Sequence, residues 1–197
     1  LTPRPQLAVS LDLDEVHHHL AIHGLPKSGA TLEVRAAFRC ALPRALDFAR
    51  DAGIRMTLFA VAADLDDPFV AGALRVAVEQ GHVVESHSAT HPYDLVNWPD
   101  AELRREVAGS FDRIEAVLGR RPVGFRAPGY LIDESVFDRL VEADALFDAS
   151  YLPSPPYFLA KTVIRAALEL LGRYSASSPG GRAMSVAPRL PHRPGRD

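Results

Sequence analysis

Residues 81–92, "GHVVESHSATHP", lead from a glycine and a short apolar segment into two histidines four positions apart, His87 and His91. The apolar segment has the length of a buried strand, and Gly81 suits the left-handed turn that ends a preceding helix. A helix that stops at a glycine and leads into a strand predicts a β-α-β unit, and hence an α/β fold with a largely parallel sheet or barrel. In such folds the working side chains collect at the carboxyl ends of the strands, where both histidines fall.

The same alternation of strand-length and helix-length segments extends through most of the chain. The strands are predicted at residues 6–14, 54–62, 82–86, 122–128 and 145–150, and the helices at 33–52, 68–80, 100–118 and 133–143. Residues 1–171 are expected to form one domain. Residues 172–197 are rich in Gly, Ser, Pro and Arg, and we expect a loop and a C-terminal tail there.

The composition of the 197-residue chain is that of an ordinary globular protein, with 47% hydrophobic and 24% charged residues. A net charge of −3, with acids and bases interspersed, predicts no nucleic-acid partner. No apolar run reaches the roughly 18–20 residues of a membrane-spanning helix, so no integral membrane segment is expected. The single cysteine of this sequence, Cys40, excludes a Cys-based zinc site within it. Since no apolar signal-peptide core is visible, we expect a cytoplasmic protein, although Leu1 need not be the natural start.

Histidine spacing alone does not identify a metal site. For eight histidines in this length, chance gives roughly 0.3 pairs at a spacing of four, and a second pair exists at His19 and His23. Position separates the two pairs, because His87 follows a predicted strand and His91 lies one turn further on, before a proline. We therefore predict metal ligation by His87 and His91. A solvated or substrate-side loop is predicted for the histidines that no strand precedes, His17, His18, His19 and His23.

Acids and an arginine follow other predicted strands. Asp12 and Asp14, in "SLDLDEV", end the first strand on one face, and their charges need a cation or an arginine beside them. One of them would complete a metal site with the two imidazoles and the other would act as general base; the alternative is that both only cap a loop. Arg126, in "GFRAPGY", follows the fourth strand and is placed to hold a carboxylate bidentately.

The fifth predicted strand ends in Asp148 and Ser150, within "FDASYLPSPPYF". Nearby aromatic residues, Tyr151, Tyr157 and Phe158, could line a groove for sugar rings, although packing of the next helix explains Phe158 equally well. Four of the predicted strands thus end in residues able to carry chemistry, which chance explains poorly.

Taken in order, these segments resemble the motifs of the polysaccharide deacetylase family, also called the NodB-homology or carbohydrate esterase 4 family. "SLDLDE" resembles its Thr-Phe-Asp-Asp motif, "HSATH" its His-Ser/Thr-x-x-His motif, "RAPGY" its Arg-x-Pro motif and "FDAS" its fourth. "TLFAV", at residues 57–61, is similar to the Thr-Phe-Phe-Val strand of the family. The resemblance covers about residues 7–158.

The resemblance implies a distorted, incomplete (β/α) barrel, of TIM-like type, that binds one divalent metal ion. Zinc is expected there, with cobalt, nickel or manganese as alternatives. The implied reaction is hydrolysis, by metal-activated water, of the acyl group of an N-acylated sugar or polysaccharide. By match, Asp14, His87 and His91 would be the metal ligands, Asp12 the general base and Arg126 the residue that holds it. The residues expected to contact the carbohydrate or other N-acylated substrate are Tyr130, Asp148, Ser150 and Tyr151.

The chain departs from the family pattern at two places. Leu13 separates acids that are usually adjacent, which leaves the division of roles between Asp12 and Asp14 less certain. The fifth motif, a Leu-x-His whose histidine is the general acid, has only His192 of the C-terminal tail as a counterpart. The chain is therefore expected to be a fragment truncated at its C-terminus, or to protonate its product differently. A deformylase or other non-peptide C–N amidohydrolase, and an inactive carbohydrate-binding homologue, are the alternative functions.

Overall fold

The computed structural model describes residues 7–22, 35–152, 154–170 and 172. Five strands form one sheet in chain order, and every neighbouring pair is parallel. The sheet curls into a half-barrel, which confirms the α/β fold and the incomplete barrel and excludes a complete TIM-like barrel within the described residues. The strands are β1 (Val9–Leu13), β2 (Met56–Ala60), β3 (Val83–Ser86), β4 (Gly124–Phe125) and β5 (Phe147–Asp148).

The helices connect these strands and cover the sheet. They are α1 (Val16–Ile22), α2 (Leu42–Ala52), α3 (Pro68–Glu79), α4 (Asp100–Leu118), α5 (Glu134–Glu142) and α6 (Pro155–Leu170). A π-helical turn, Ala37–Ala41, precedes α2, and a 3-10 turn, Ala62–Asp66, follows β2. None of the helices within the described ranges combines the length and the apolar character needed to cross a membrane.

Local sequence explains where these helices begin and end. Asp67 and Asp133 accept backbone N–H groups in the first turns of α3 and α5, from Phe69 at 2.9 Å and from Val136 at 3.2 Å. Gly53 and Gly119 end α2 and α4 in the left-handed conformation, which glycine adopts without a steric penalty. The predicted helix boundaries therefore agree with the structure to within a few residues, apart from residues 33–34, which lie outside the described residues.

Two hydrophobic clusters fill the space between the sheet and its helices. The first lies between β1–β3 and helices α2 and α3, and the second joins α4, α5 and the β4 region. The buried carboxylate of Glu85, on β3, accepts the backbone N–H groups of Val123 and Gly124 at 2.7 and 2.6 Å. Because β3 and β4 share a single paired position, these two hydrogen bonds fix the start of β4 against the sheet.

The C-terminal tail expected at residues 172–197 lies outside the described residues, except for Gly172. His192 belongs to this part of the chain, so its predicted role has no structural counterpart here.

Candidate metal centre and active site

One row of paired residues runs across the carboxyl edge of the sheet, through Leu13, Ala60, Ser86, Phe125 and Asp148. The residue that follows each strand leaves the sheet at this edge. Asp14, His87 and Arg126 each occupy such a position, directly after β1, β3 and β4. Parallel register therefore brings together three residues that are far apart in sequence.

Asp14 lies between the two imidazoles of His87 and His91. Its Oδ1 is 3.3 Å from Nε2 of His87, and its Oδ2 is 3.3 Å from Nε2 of His91. The side chains of His87 and His91 are 3% and 0% exposed, and that of Asp14 is 16% exposed. The three ligand atoms lie within 4.8 Å of one another, which makes this triad a candidate metal centre.

Hydrogen bonding around the triad leaves its ligand atoms available for a cation. Nδ1 of His87 donates to the backbone oxygen of Arg126 at 2.7 Å, so the neutral ring has its lone pair on Nε2, facing Asp14. Burial lowers the pKa of His87, which favours this neutral form. Oδ1 of Asp14 and Nε2 of His91 are buried without a hydrogen-bond partner.

The distances in the triad also suit a metal ion. Ligand atoms bound tetrahedrally at about 2.0–2.1 Å are roughly 3.4 Å apart, close to the two 3.3 Å separations seen here. Although burial acts to raise the pKa of Asp14, the hydrogen bond and positive charge that His91 and His87 supply when protonated lower the pKa to about 2. The carboxylate is therefore ionised and ready to bind. The residues fit the single divalent ion expected from the sequence.

The loop after β3 holds His91 in an unusual backbone conformation. Ser88, His91 and Tyr130 have φ values of 69°, 65° and 62°, so three of the five non-glycine residues with positive φ in the described part of the chain surround the site. Oγ of Ser88 accepts the N–H of His91 at 3.0 Å. The buried carboxylate of Glu106, on α4, accepts the N–H of Thr90 at 2.6 Å and its hydroxyl at 3.1 Å.

Asp12 has different partners from Asp14. Nη1 of Arg126 donates to its Oδ1 at 2.5 Å, and the hydroxyl of Tyr130 donates to its Oδ2 at 3.3 Å. The contact with Arg126 uses one nitrogen, unlike the predicted bidentate pair, because Nη2 donates to Ser10 and Nε to the backbone oxygen of Ala149. Burial and the neighbouring Asp12 charge raise the pKa of Tyr130 to about 12, so its hydroxyl remains a donor.

Sequence comparison places the chain among known proteins. Residues 29–146, more than half of the chain, match the family described as polysaccharide deacetylase. The chain belongs to the polysaccharide deacetylase family. This is a family of hydrolases that act on carbon–nitrogen bonds. The matched residues include His87, His91 and Arg126, whereas Asp12 and Asp14 precede them. No curated protein sequence matches the chain.

Solved structures show the same fold at low sequence identity. A Mycobacterium smegmatis protein assigned as a polysaccharide deacetylase aligns with a TM-score of 0.61 at 21% identity, over 74% of this chain and 50% of its own. A chitin deacetylase from Colletotrichum lindemuthianum gives 0.53 at 19%, over 72% and 54%. A family 4 carbohydrate esterase from Streptomyces lividans, in complex with acetate, gives 0.51 at 18%, over 73% and 62%. The chain spans about half of the first two structures and somewhat more of the third.

In this family member, Asp148 and Ser150 lie beneath the site. Ser150 is fully buried, its hydroxyl donates to Oδ2 of Asp148 at 2.6 Å, and its oxygen accepts the N–H of Ala127 at 2.7 Å. Burial raises the pKa of Asp148 to about 6. The two residues support the turn that carries Arg126, and their contact with substrate stays a prediction.

The aromatic residues near this site either border it or belong to the hydrophobic core. The rings of Tyr130 and Tyr157 meet edge to face with centroids 6.0 Å apart, and Tyr157 is 38% exposed. Tyr151 is partly buried, with its ring 6.1 Å from that of Phe137, and its contact with substrate also stays a prediction. Phe158 is buried in the second hydrophobic cluster, so helix packing explains it.

The loop predicted for the remaining histidines is wrong for His17, His18 and His19, which belong to helix α1. His18 is buried, and its Nε2 lies 2.9 Å from Oδ2 of Asp64. His19 is largely exposed, and its Nε2 is 3.9 Å from Oδ2 of Asp14. His23 lies outside the described residues. Two signals were available in the sequence: His18 and Ile22 share a helical face, and Asp64 follows β2 as the other site residues follow their strands.

Proposed function

We propose that this chain hydrolyses the amide of an N-acylated sugar unit, removing an acetyl group from an oligosaccharide or polysaccharide. The observation that carries the proposal is the position of Asp12, which is held by Arg126 and Tyr130 beside the Asp14–His87–His91 triad. Family membership and the solved chitin deacetylase and acetate-bound esterase support the reaction class. The comparisons do not favour the alternatives of a deformylase or a silent carbohydrate-binding homologue.

Asp14, His87 and His91 would hold one divalent cation. Two imidazole nitrogens and one carboxylate oxygen form a donor set that suits zinc, and also accommodates cobalt, nickel or manganese. When bound there, the cation supplies a Lewis acid that polarises the amide carbonyl and makes water more acidic.

Asp12 is the residue that would accept a proton from the attacking water. Arg126 occupies its Oδ1, so the proton goes to Oδ2, the oxygen that faces the Tyr130 hydroxyl. The water oxygen forms a bond to the acyl carbon, and the C–N bond then breaks as the leaving nitrogen takes up a proton. Asp12, which is protonated in the first step, can donate this proton to the leaving nitrogen. Arg126, stacked over the Phe59 ring at 4.1 Å, keeps the carboxylate oriented throughout.

Aromatic side chains beside Asp12 offer a surface for sugar rings. Tyr130 reaches Asp12 through its hydroxyl, and Tyr157 lies against the ring of Tyr130. Aromatic faces bind the apolar faces of carbohydrate rings, and buried polar groups at the edge discriminate their hydroxyls. The aromatic surface formed by Tyr130 and Tyr157 favours a saccharide substrate over a small aliphatic amide.

A panel of amides tests the substrate class. Acetate release is measured from N-acetylglucosamine, from its oligomers of increasing length and from a small formamide, with zinc-loaded protein. We expect oligomers to be hydrolysed faster than the monomer or the formamide, because remote sugar units contribute binding energy. The Asp12→Asn variant is the control for contaminating activity. Metal bound at the triad with no hydrolysis of any amide would overturn the proposal.

A further inference from the structure

A second group of potential ligands lies next to the triad but shares no residue with it. It consists of His17 and His18 on α1 and Asp64 in the turn that follows β2. Nε2 of His18 lies 2.9 and 3.1 Å from the two oxygens of Asp64, and Nε2 of His17 lies 3.7 Å from Oδ1. The ligand atoms of all three residues lie within 4.8 Å of one another, as they do in the triad.

Burial distinguishes this group from an exposed acidic patch. The side chains of His18 and Asp64 are 9% and 8% exposed, while that of His17 is 38% exposed and leaves one side open to solvent. His17 is therefore accessible to a cation from solvent, whereas His18 and Asp64 are largely covered by protein. The set of two nitrogens and one oxygen again suits zinc-type transition metals rather than calcium or magnesium.

Arginines balance only part of the carboxylate charge around the adjoining cavity. The cavity has a volume of about 560 Å³, and four carboxylates line it: Glu15, Asp64, Asp66 and Asp67. Arg35 pairs with Asp67, and Arg113 pairs with Asp66 at 2.5 Å. Among the described residues, no lysine or arginine lies within ion-pair distance of Asp64, whose only such partners are His17 and His18.

Glu15 provides an independent sign that a cation belongs in this cavity. It is 5% exposed, and its Oε1 is buried without a hydrogen-bond partner in the structure. A buried carboxylate oxygen with no donor is costly, and a cation in the same cavity would relieve that cost for Glu15.

We propose that His17, His18 and Asp64 form a second binding site for a divalent transition-metal ion of the zinc type. The bound ion would take the Nε2 lone pair of neutral His18, whose ring proton then lies on Nδ1, in place of the hydrogen bond between His18 and Asp64. It ties helix α1 to the turn after β2. Because the rings of His18 and His91 lie 4.9 Å apart, this link fixes α1 beside the triad. The site is independent of the proposed hydrolysis.

Metal stoichiometry tests the site without an activity measurement. The tag-free 197-residue chain is stripped with a chelator and dialysed against zinc, and its bound zinc is measured by elemental analysis. We expect two equivalents in the wild type and one in each of Asp64→Asn and His17→Ala. His87→Ala is expected to lose the other equivalent, and the double variant with Asp64→Asn to lose both.

Matched controls separate ligation from charge and from folding. Asp66→Asn removes a carboxylate from the same cavity but not a proposed ligand, so it should retain two equivalents. Far-UV circular dichroism and thermal melting in chelator check that each variant folds. Zinc content that Asp64→Asn and His17→Ala leave at the wild-type value, or an Asp66→Asn variant that loses one equivalent, would overturn the second site. Retention of two equivalents by His87→Ala would instead contradict the triad, and with it the proposed function.

Discussion

Asp12 and Asp14 are two positions apart but have different partners, and we propose different roles for them on this basis. Asp14 contacts two imidazoles, whereas Asp12 contacts an arginine and a phenol. The sequence shows two acids at one strand end but does not distinguish them, because the distinction depends on residues more than 70 positions away. The structure supplies this information through the parallel register.

Substitution of each acid by its amide separates the two roles. We expect Asp12→Asn to retain zinc and to lose acetate release by about 10²–10⁴-fold, the usual contribution of a general base. Asp14→Asn should lose the zinc equivalent of the triad, since an amide oxygen replaces a charged ligand. Equilibrium dialysis with zinc, beside acetate release, distinguishes the two. If Asp12→Asn lost the metal and Asp14→Asn kept it, the roles would have to be exchanged.

The loop between β3 and α4 is the element that positions His91. Glu106 holds Thr90 by its N–H and its hydroxyl. Glu106→Ala removes the buried carboxylate that accepts both donors of the exposed Thr90, which should lower the free energy of unfolding by about 0.5–1.5 kcal/mol. Zinc affinity should fall by about 10–100-fold, as for other residues that orient a ligand. Urea unfolding and zinc titration measure the two effects.

Glu102→Ala is the matched control, because Glu102 lies on the same helix and is exposed. It should change neither quantity. Equal zinc affinity in the wild type and in Glu106→Ala would show that Glu106 does not position the loop.

The buried carboxyl group of Asp148, at the end of β5, should make the free energy of unfolding depend on pH. Burial raises the pKa of Asp148 from 3.8 to about 6, so between these values the folded chain retains a proton that the unfolded chain has lost. The free energy of unfolding therefore falls as the pH rises through this range, by at most about 3 kcal/mol, and this contribution stays constant above it. Asp148→Asn is neutral throughout and should lack this fall.

Urea unfolding of metal-free protein between about pH 4 and pH 7 measures the effect of Asp148. Asp51→Asn, at an exposed carboxylate, is the control and should follow the wild type. If the wild type and Asp148→Asn had the same pH slope, the buried carboxyl would not be protonated as described.

Strands and most helices could be predicted from apolar periodicity, but α1 could not be recognised as readily. Only Asp14 and Glu15 separate it from β1, and three adjacent histidines in its seven residues have low intrinsic helix propensity. Its stability comes from contacts such as His18 with Asp64, which are distant in sequence.

The predicted strand at residues 122–128 is paired only at Gly124–Phe125, because prolines at both ends limit the ladder.

At the scale of the whole molecule, metal binding should stabilise the fold. A ligand that binds only the folded state at about 100 times its dissociation constant adds about 2.7 kcal/mol, or roughly 5–10 °C for a chain of this size. Thermal melting with and without zinc measures this shift in the wild type. His87→Ala should show a smaller shift, and an equal shift would place the metal elsewhere.

The family and the open barrel could be recognised from the order of five short motifs along the chain, because each motif lies on or directly after a strand of a parallel sheet. The tail that carries His192 lies outside the described residues. Among the described residues, Asp12 is therefore the group that we propose as the proton donor to the leaving nitrogen.

The central claim is that Asp12 and a metal-loaded triad together hydrolyse an N-acetylated sugar. It is tested most directly by acetate release from N-acetylglucosamine oligomers, measured on chelator-stripped protein before and after zinc is restored. We expect no release before zinc, release after it, and at least about 100-fold less from Asp12→Asn at the same zinc content. Equal rates with and without zinc, or no release from a zinc-loaded wild type, would contradict it.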